Sequence, residues 1–145
     1  MNFTFLALKF HNCYQTKGQC ETPLNEDGIK QAQAAGQALK KYKFHHAISS
    51  DLQRAFKTCQ LILKENQTSP VSCENIEKDK LLRERNFGFL EGKGYDEVIE
   101  FVKKYGEDIT AETGESGGEV EARAREFLKS LIGTAKSNKN GTLTK

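Results

Sequence analysis

The 145-residue chain lacks a charge excess: 22 basic side chains stand against 20 acidic ones, for a net charge of +2. That balance, with no basic stripe interleaved with aromatics, argues against a nucleic-acid surface. Tryptophan is absent and 37% of residues are hydrophobic, a composition lean for a large core but typical of a water-soluble chain. Long apolar runs are missing too. The opening segment from Phe3 to Leu8 is about six residues long, far short of a membrane span and of a signal-peptide core. Cys13, Cys20, Cys59 and Cys73 form neither a C-x-x-C pair nor a metal-ligand rhythm. Reduced thiols in a cytoplasmic protein are the expectation, with no metal site and no membrane partner. In that setting the three N-x-T triplets at Asn2, Asn66 and Asn140 are chance matches. No internal repeat or low-complexity segment interrupts the chain, and its length suits one domain.

What the chain does have is alternation. Phe3 to Phe10 reads as a buried strand, and Asn12 to Thr22 as a polar loop. Asn25, followed by Glu26 and Asp27, reads as a helix start, with Ile29, Ala32, Ala35, Gly36 and Leu39 on one face. Phe44 to Ser49 predicts a second strand. Asp51 to Glu65 predicts a second helix, with Leu52, Ala55, Cys59, Ile62 and Leu63 inward. A short strand is expected between Val71 and Leu82, a third helix over Tyr95 to Tyr105, a loop over Glu112 to Gly118 and a fourth helix over Val120 to Ile132. Strand and helix in turn predict an α/β fold with a mainly parallel sheet flanked by helices.

Two stretches carry chemistry. Ser49 to Ala55 (S-S-D-L-Q-R-A) places Arg54 at the start of a helix, and Leu81 to Gly92 (L-L-R-E-R-N-F-G-F-L-E-G) places Arg83, Glu84 and Arg85 before a glycine-containing loop. Guanidinium forks grip phosphate oxygens, and a carboxyl group can pass a proton to a departing alcohol. Bland readings stand beside these. Arg54 could be a helix-surface arginine, Glu84 an ion-pair partner for its arginine neighbours, and Arg83 and Arg85 either site rim or structural pairs. His45 and His46 read as surface residues.

With Pro23 to Ala32 (P-L-N-E-D-G-I-K-Q-A) and Gly114 to Arg123 (G-E-S-G-G-E-V-E-A-R), these stretches make four blocks in order. In them the chain resembles the histidine phosphatase superfamily, which includes the cofactor-dependent phosphoglycerate mutases, and within it the TIGAR-type fructose-2,6-bisphosphatases. The likeness spans Phe3 to Ile132. It implies a phosphoglycerate mutase-like fold, incomplete at the C-terminus, with residues 1–132 as the N-terminal part of the domain and 133–145 as a polar tail that frays.

The resemblance also implies a phosphomonoesterase working through a phosphohistidine, with no metal or organic cofactor, on a small phosphorylated metabolite such as a sugar phosphate. By position, His11 is the nucleophile, Glu84 the general acid and base, and Arg54 the phosphate grip. Gly18, Gln19, Glu115 and Ser116 line the same mouth. Nothing in the residues names a protein partner.

The chain departs from the family at its R-H-G motif, which reads Phe10-His11-Asn12 here. It also stops before the family's second histidine. The expectation is therefore an impaired enzyme. The alternatives are an inactive pseudo-phosphatase that binds a phosphorylated ligand or a protein, and a phosphoglycerate mutase-like enzyme.

Overall fold

The computed structural model describes residues 15–106 and 114–140, with side chains as far as 133. The strand expected at Phe3 to Phe10 lies outside the described residues. Within them the order is α1 (Glu26–Ala38), β1 (Ile48–Ser49), α2 (Gln53–Glu65), β2 (Glu77–Lys78), α3 (Tyr95–Tyr105) and α4 (Gly117–Asn140), with 3-10 turns at Cys73–Asn75, Lys80–Leu82 and Gly88–Leu90. β1 and β2 run parallel, Ile48 opposite Glu77 and Ser49 opposite Lys78, and α2 makes the crossover that a parallel pair requires. Both strands are shorter than the alternation predicts. Val71 to Leu82 spends most of its length in turns, and Phe44 instead donates its amide to the Ser69 hydroxyl at 2.9 Å.

Helix α1 starts where expected. The Asn25 side chain accepts from the Gly28 amide at 2.8 Å, and Glu26 and Asp27 sit in the positive first turn. Its buried face is Gly28, Ala32 and Gly36, a stripe of small residues rather than the broader face that includes Ile29 and Leu39. The reason is close approach to α2: a Cβ on Gly36 would lie 2.7 Å from the Glu65 Cβ and 2.9 Å from the Ile62 carbonyl oxygen. From α2, Thr58, Ile62 and Leu63 turn inward. Leu52, Ile76, Leu90 and Phe127 complete the core with Ala32.

Asn66, only 2% exposed, stitches the ends of α1 and α2 together. Its amide donates to the carbonyls of Leu39 and Tyr42 at 2.8 and 2.9 Å, and its oxygen accepts from Thr68 and Ser69 at 3.0 Å each. Buried and bonded through both its amide and its oxygen, the Asn66 side chain is not presented for glycosylation in the folded state.

Helix α3 spans the expected residues. Helix α4 begins earlier than expected, because Ser116 and Glu119 form a capping box: the Ser116 hydroxyl accepts from the Glu119 amide at 3.2 Å and the Glu119 carboxylate accepts from the Ser116 amide at 2.8 Å. It also ends later. The expected polar tail from Gly133 is helical to Asn140, since one glycine costs only about 1 kcal/mol and no proline follows it. Among the described residues, no helix is long and apolar enough to cross a membrane, and no group of three or more His, Cys, Asp or Glu could hold a metal ion. Among the described residues, Cys20, Cys59 and Cys73 are free thiols.

Candidate active site

Both parallel strands deliver a charged residue just past their carboxyl ends, where open α/β sheets place ligands. After β1, the buried Ser50 hydroxyl accepts from the Leu52 amide at 3.3 Å and turns the chain into α2, whose first turn carries Arg54. After β2, the turn at Lys80–Leu82 leads to Glu84. The two side chains meet: Arg54 NH2 lies 2.8 Å from Glu84 Oε2, with the arginine 14% exposed and the glutamate 50%. Glu84 thus finds a cation across the fold, although arginines flank it in the chain.

The loop at 18–20 holds the rest of the guanidinium. Arg54 donates to the carbonyl of Cys20 at 2.8 Å and to that of Gly18 at 2.5 Å. Between them, Gln19 ties three segments together. Its side-chain amide donates to the Glu84 carbonyl at 3.1 Å and to the Glu115 carboxylate at 3.4 Å, and its oxygen accepts from Arg83 at 3.2 Å.

Arg83 and Arg85 serve this frame. Arg83 grips Asp51 through two bonds of 2.7 and 2.5 Å, and that guanidinium, against an opposing cost of burial, holds the Asp51 carboxyl below its ordinary range. Arg85 donates to the Glu115 carbonyl at 2.7 Å. Glu115 is itself gripped by Arg123 at 2.8 and 3.1 Å and accepts from the Asn86 amide at 2.8 Å. Burial opposes ionisation of Glu115, but Arg123, the Asn86 amide and Gln19 together outweigh it, and the carboxyl sits below its ordinary range. Arg123 also reaches the Leu81 carbonyl at 2.8 Å. Glu115 and Ser116 are thus engaged by the frame and by the start of α4.

Of the residues singled out by sequence, Gly18, Gln19, Arg54, Glu84 and Glu115 come together within one bonded cluster. His11 lies outside the described residues, and His45 and His46 are exposed. Sequence reasoning assigned no role to Asp51, Glu91 or Arg123, although each lies inside one of the four blocks. The partners of Asp51 and Glu91 stand across the fold, as with Asp51 and Arg83, 32 positions apart, and Arg123 pairs with Glu115 at a spacing of 8 that no helix or strand repeat singles out. The S-x-x-E signature of the Ser116 cap was the one local signal available.

A family model described as the histidine phosphatase superfamily, branch 1, matches residues 11–143, and the chain belongs to that superfamily. "Fructose-2,6-bisphosphatase TIGAR B" of Danio rerio is 40% identical over 115 residues, covering 77% of this chain and 44% of its own length. Among solved structures, a phosphoglycerate mutase from Bacillus anthracis aligns with a TM-score of 0.71 and 25% identity over 86% of this chain and 63% of its own. A mycobacterial glucosyl-3-phosphoglycerate phosphatase in complex with inorganic phosphate aligns with a TM-score of 0.68 and 29% identity, over 82% of this chain and 57% of its own. The chain therefore spans less than half the length of the fish relative.

Proposed function

We propose that the cluster around Arg54 is the phosphate-gripping part of a phosphomonoesterase site that works through a phosphohistidine. One observation carries the reading: a largely buried guanidinium, fixed by two loop carbonyls, stands 2.8 Å from a half-exposed carboxylate at the carboxyl edge of a parallel sheet. An ester phosphate brings the negative charge that Arg54 neutralises, and its leaving oxygen needs the proton that Glu84 supplies. In the first step phosphate takes the place of Glu84 on Arg54, a ring nitrogen of His11 bonds to phosphorus, the ester P–O bond breaks, and Glu84, entering the step as the protonated acid, protonates the departing alcohol. In the second, water gives a proton to Glu84 and its oxygen bonds to phosphorus, and the P–N bond breaks to release phosphate. Small sugar phosphates are the substrate class, with fructose 2,6-bisphosphate the first to try on the strength of the fish relative. The site needs no metal or organic cofactor for these steps.

Phe10 and Asn12 on either side of His11 favour a second reading, a module that binds phosphorylated ligands with little turnover. Loss of one charge-stabilising donor costs a factor of roughly 10²–10³ in rate. The expected result is that the chain binds inorganic phosphate but hydrolyses fructose 2,6-bisphosphate, and a panel of sugar and glycerate phosphates, well below the roughly 1–10³ per second of ordinary enzymes. His11→Ala should remove what turnover there is. Interconversion of phosphoglycerates without net phosphate release would point to a mutase. Absence of both phosphate binding and turnover would remove the phosphatase reading.

A further inference from the structure

Glu91 stands one step behind Arg54 and Glu84, and its carboxylate anchors the loop that holds the guanidinium. Oε1 accepts from the Gln19 amide at 2.7 Å and the Phe87 amide at 3.1 Å, and Oε2 accepts from the Cys20 thiol at 3.0 Å. Gly18 makes this approach possible. Its φ is +49°, and a Cβ there would lie 2.2 Å from Glu91 Oε1.

The Gly18 carbonyl and the Gln19 amide belong to one peptide unit. Its oxygen accepts from Arg54 and its N–H donates to Glu91. The peptide dipole is thus sandwiched between a cation at its negative end and an anion at its positive end, an arrangement in which each bond polarises and strengthens the other. The next residue repeats the pattern, with the Cys20 carbonyl on Arg54 and its thiol on Glu91. That hydrogen bond is the first cause, and burial the second, of a Cys20 thiol that ionises less readily than an ordinary cysteine.

We propose that Glu91 is a positioning residue for Arg54: through the 18–20 loop it fixes the acceptors that orient the guanidinium for phosphate. The proposal rests on the reading of Arg54 as the phosphate ligand. Replacing Glu91 with alanine frees the Gln19 amide and lets the loop carbonyls move, so the arginine keeps its charge but loses its aim. The Glu91→Gln side chain still offers an oxygen to both backbone amides without the charge, and so preserves most of the geometry.

The test is inorganic phosphate affinity, measured by calorimetry on the 145-residue chain and its variants. Arg54→Ala should weaken binding about 30- to 150-fold. Glu91→Ala should weaken it about tenfold, the worth of one charge-assisted bond, and Glu91→Gln by less than about threefold. In the Arg54→Ala background, Glu91→Ala should change nothing further. An equal loss in both backgrounds, or no loss in either, overturns the proposal, since a purely structural role has no reason to vanish with Arg54. If Glu91→Ala does not fold, Gly18→Ala displaces the same carboxylate from the loop side and should show the same dependence on Arg54. If wild type and Arg54→Ala bind phosphate equally, the reading of Arg54 fails first and the role of Glu91 falls with it, whereas a large Arg54 effect beside a silent Glu91 removes the positioning role alone.

Discussion

At the scale of single residues, Arg54 owes its place to donors rather than to charge alone. Three of its guanidinium bonds go to Gly18, Cys20 and Glu84. A lysine carries the same charge on a flexible stem without the planar fork, so Arg54→Lys should recover little of the roughly 2–3 kcal/mol of phosphate affinity that Arg54→Ala loses. Recovery to within about twofold of wild type would mean that the site reads charge and not geometry. The thiols give a separate residue-level check. Burial pushes Cys59 up to about 11, with the neighbouring Cys73 adding to the shift. Because only the thiolate reacts, alkylation of native protein at about pH 8 should leave Cys59 among the last thiols modified, as mass spectrometry of the digested protein would show. Rapid labelling of Cys59 without denaturant would contradict that.

At the scale of elements, α1 and α2 pack at close range. Gly36 is the tight point: glycine is a poor helix residue, and alanine there should gain about 1 kcal/mol by propensity. The space forbids it. The groups that a Cβ would meet are the Ile62 backbone and the Glu65 Cβ, neither of which can swing aside. Gly36→Ala should therefore destabilise the fold by roughly 1–3 kcal/mol, read as a lower urea midpoint with little change in slope. A more stable variant would show that the helices separate without cost.

The helices themselves were legible in the chain, because the Asn25 cap, the apolar spacing of α2 and the bounds of α3 are local signals. The strands were less so. Two-residue strands leave almost no alternation to detect, and Phe44 to Ser49 and Val71 to Leu82 look alike whether they pair or turn. The length of α4 is hard to read from the chain for a related reason. Gly133 reads as a stop in a short window, whereas a helix already nucleated by the Ser116 cap propagates through it.

At the scale of the whole molecule, the described part of the site is a frame of ion pairs that spans the chain. Asp51 with Arg83 and Arg54 with Glu84 join the segments that follow β1 and β2, and Glu115 with Arg123, a pair at the start of α4, is tied to the second of these through the Leu81 carbonyl, Arg85 and the Asn86 amide. The Asp51 and Glu115 carboxyls both sit below their ordinary range. A carboxyl depressed in the folded state contributes stability that is fully present above its unfolded value, about 4 for these side chains, and is lost as pH falls through the folded value. Urea unfolding should thus be nearly flat from neutral pH down to about 5 and fall steeply below about 4. In Glu115→Gln the acid limb should be shallower. Parallel curves for the two proteins would mean that Glu115 adds nothing to this dependence.

The order of the four blocks, the capped start of α1, the α/β alternation and the superfamily itself were present in the amino-acid sequence, because each rests on residue type at short spacing. The choice of ion-pair partners was not. Glu84 has two arginines beside it in the chain and joins one 30 positions away, Arg83 turns to Asp51, and Glu115 turns to Arg123. Adjacent side chains on an extended segment point to opposite sides, so Glu84 faces away from the two arginines that flank it. The peptide shared by Arg54 and Glu91 follows the same rule. Only the folded chain brings a cation to its carbonyl and an anion to its N–H, because the three segments that meet there lie far apart along the sequence.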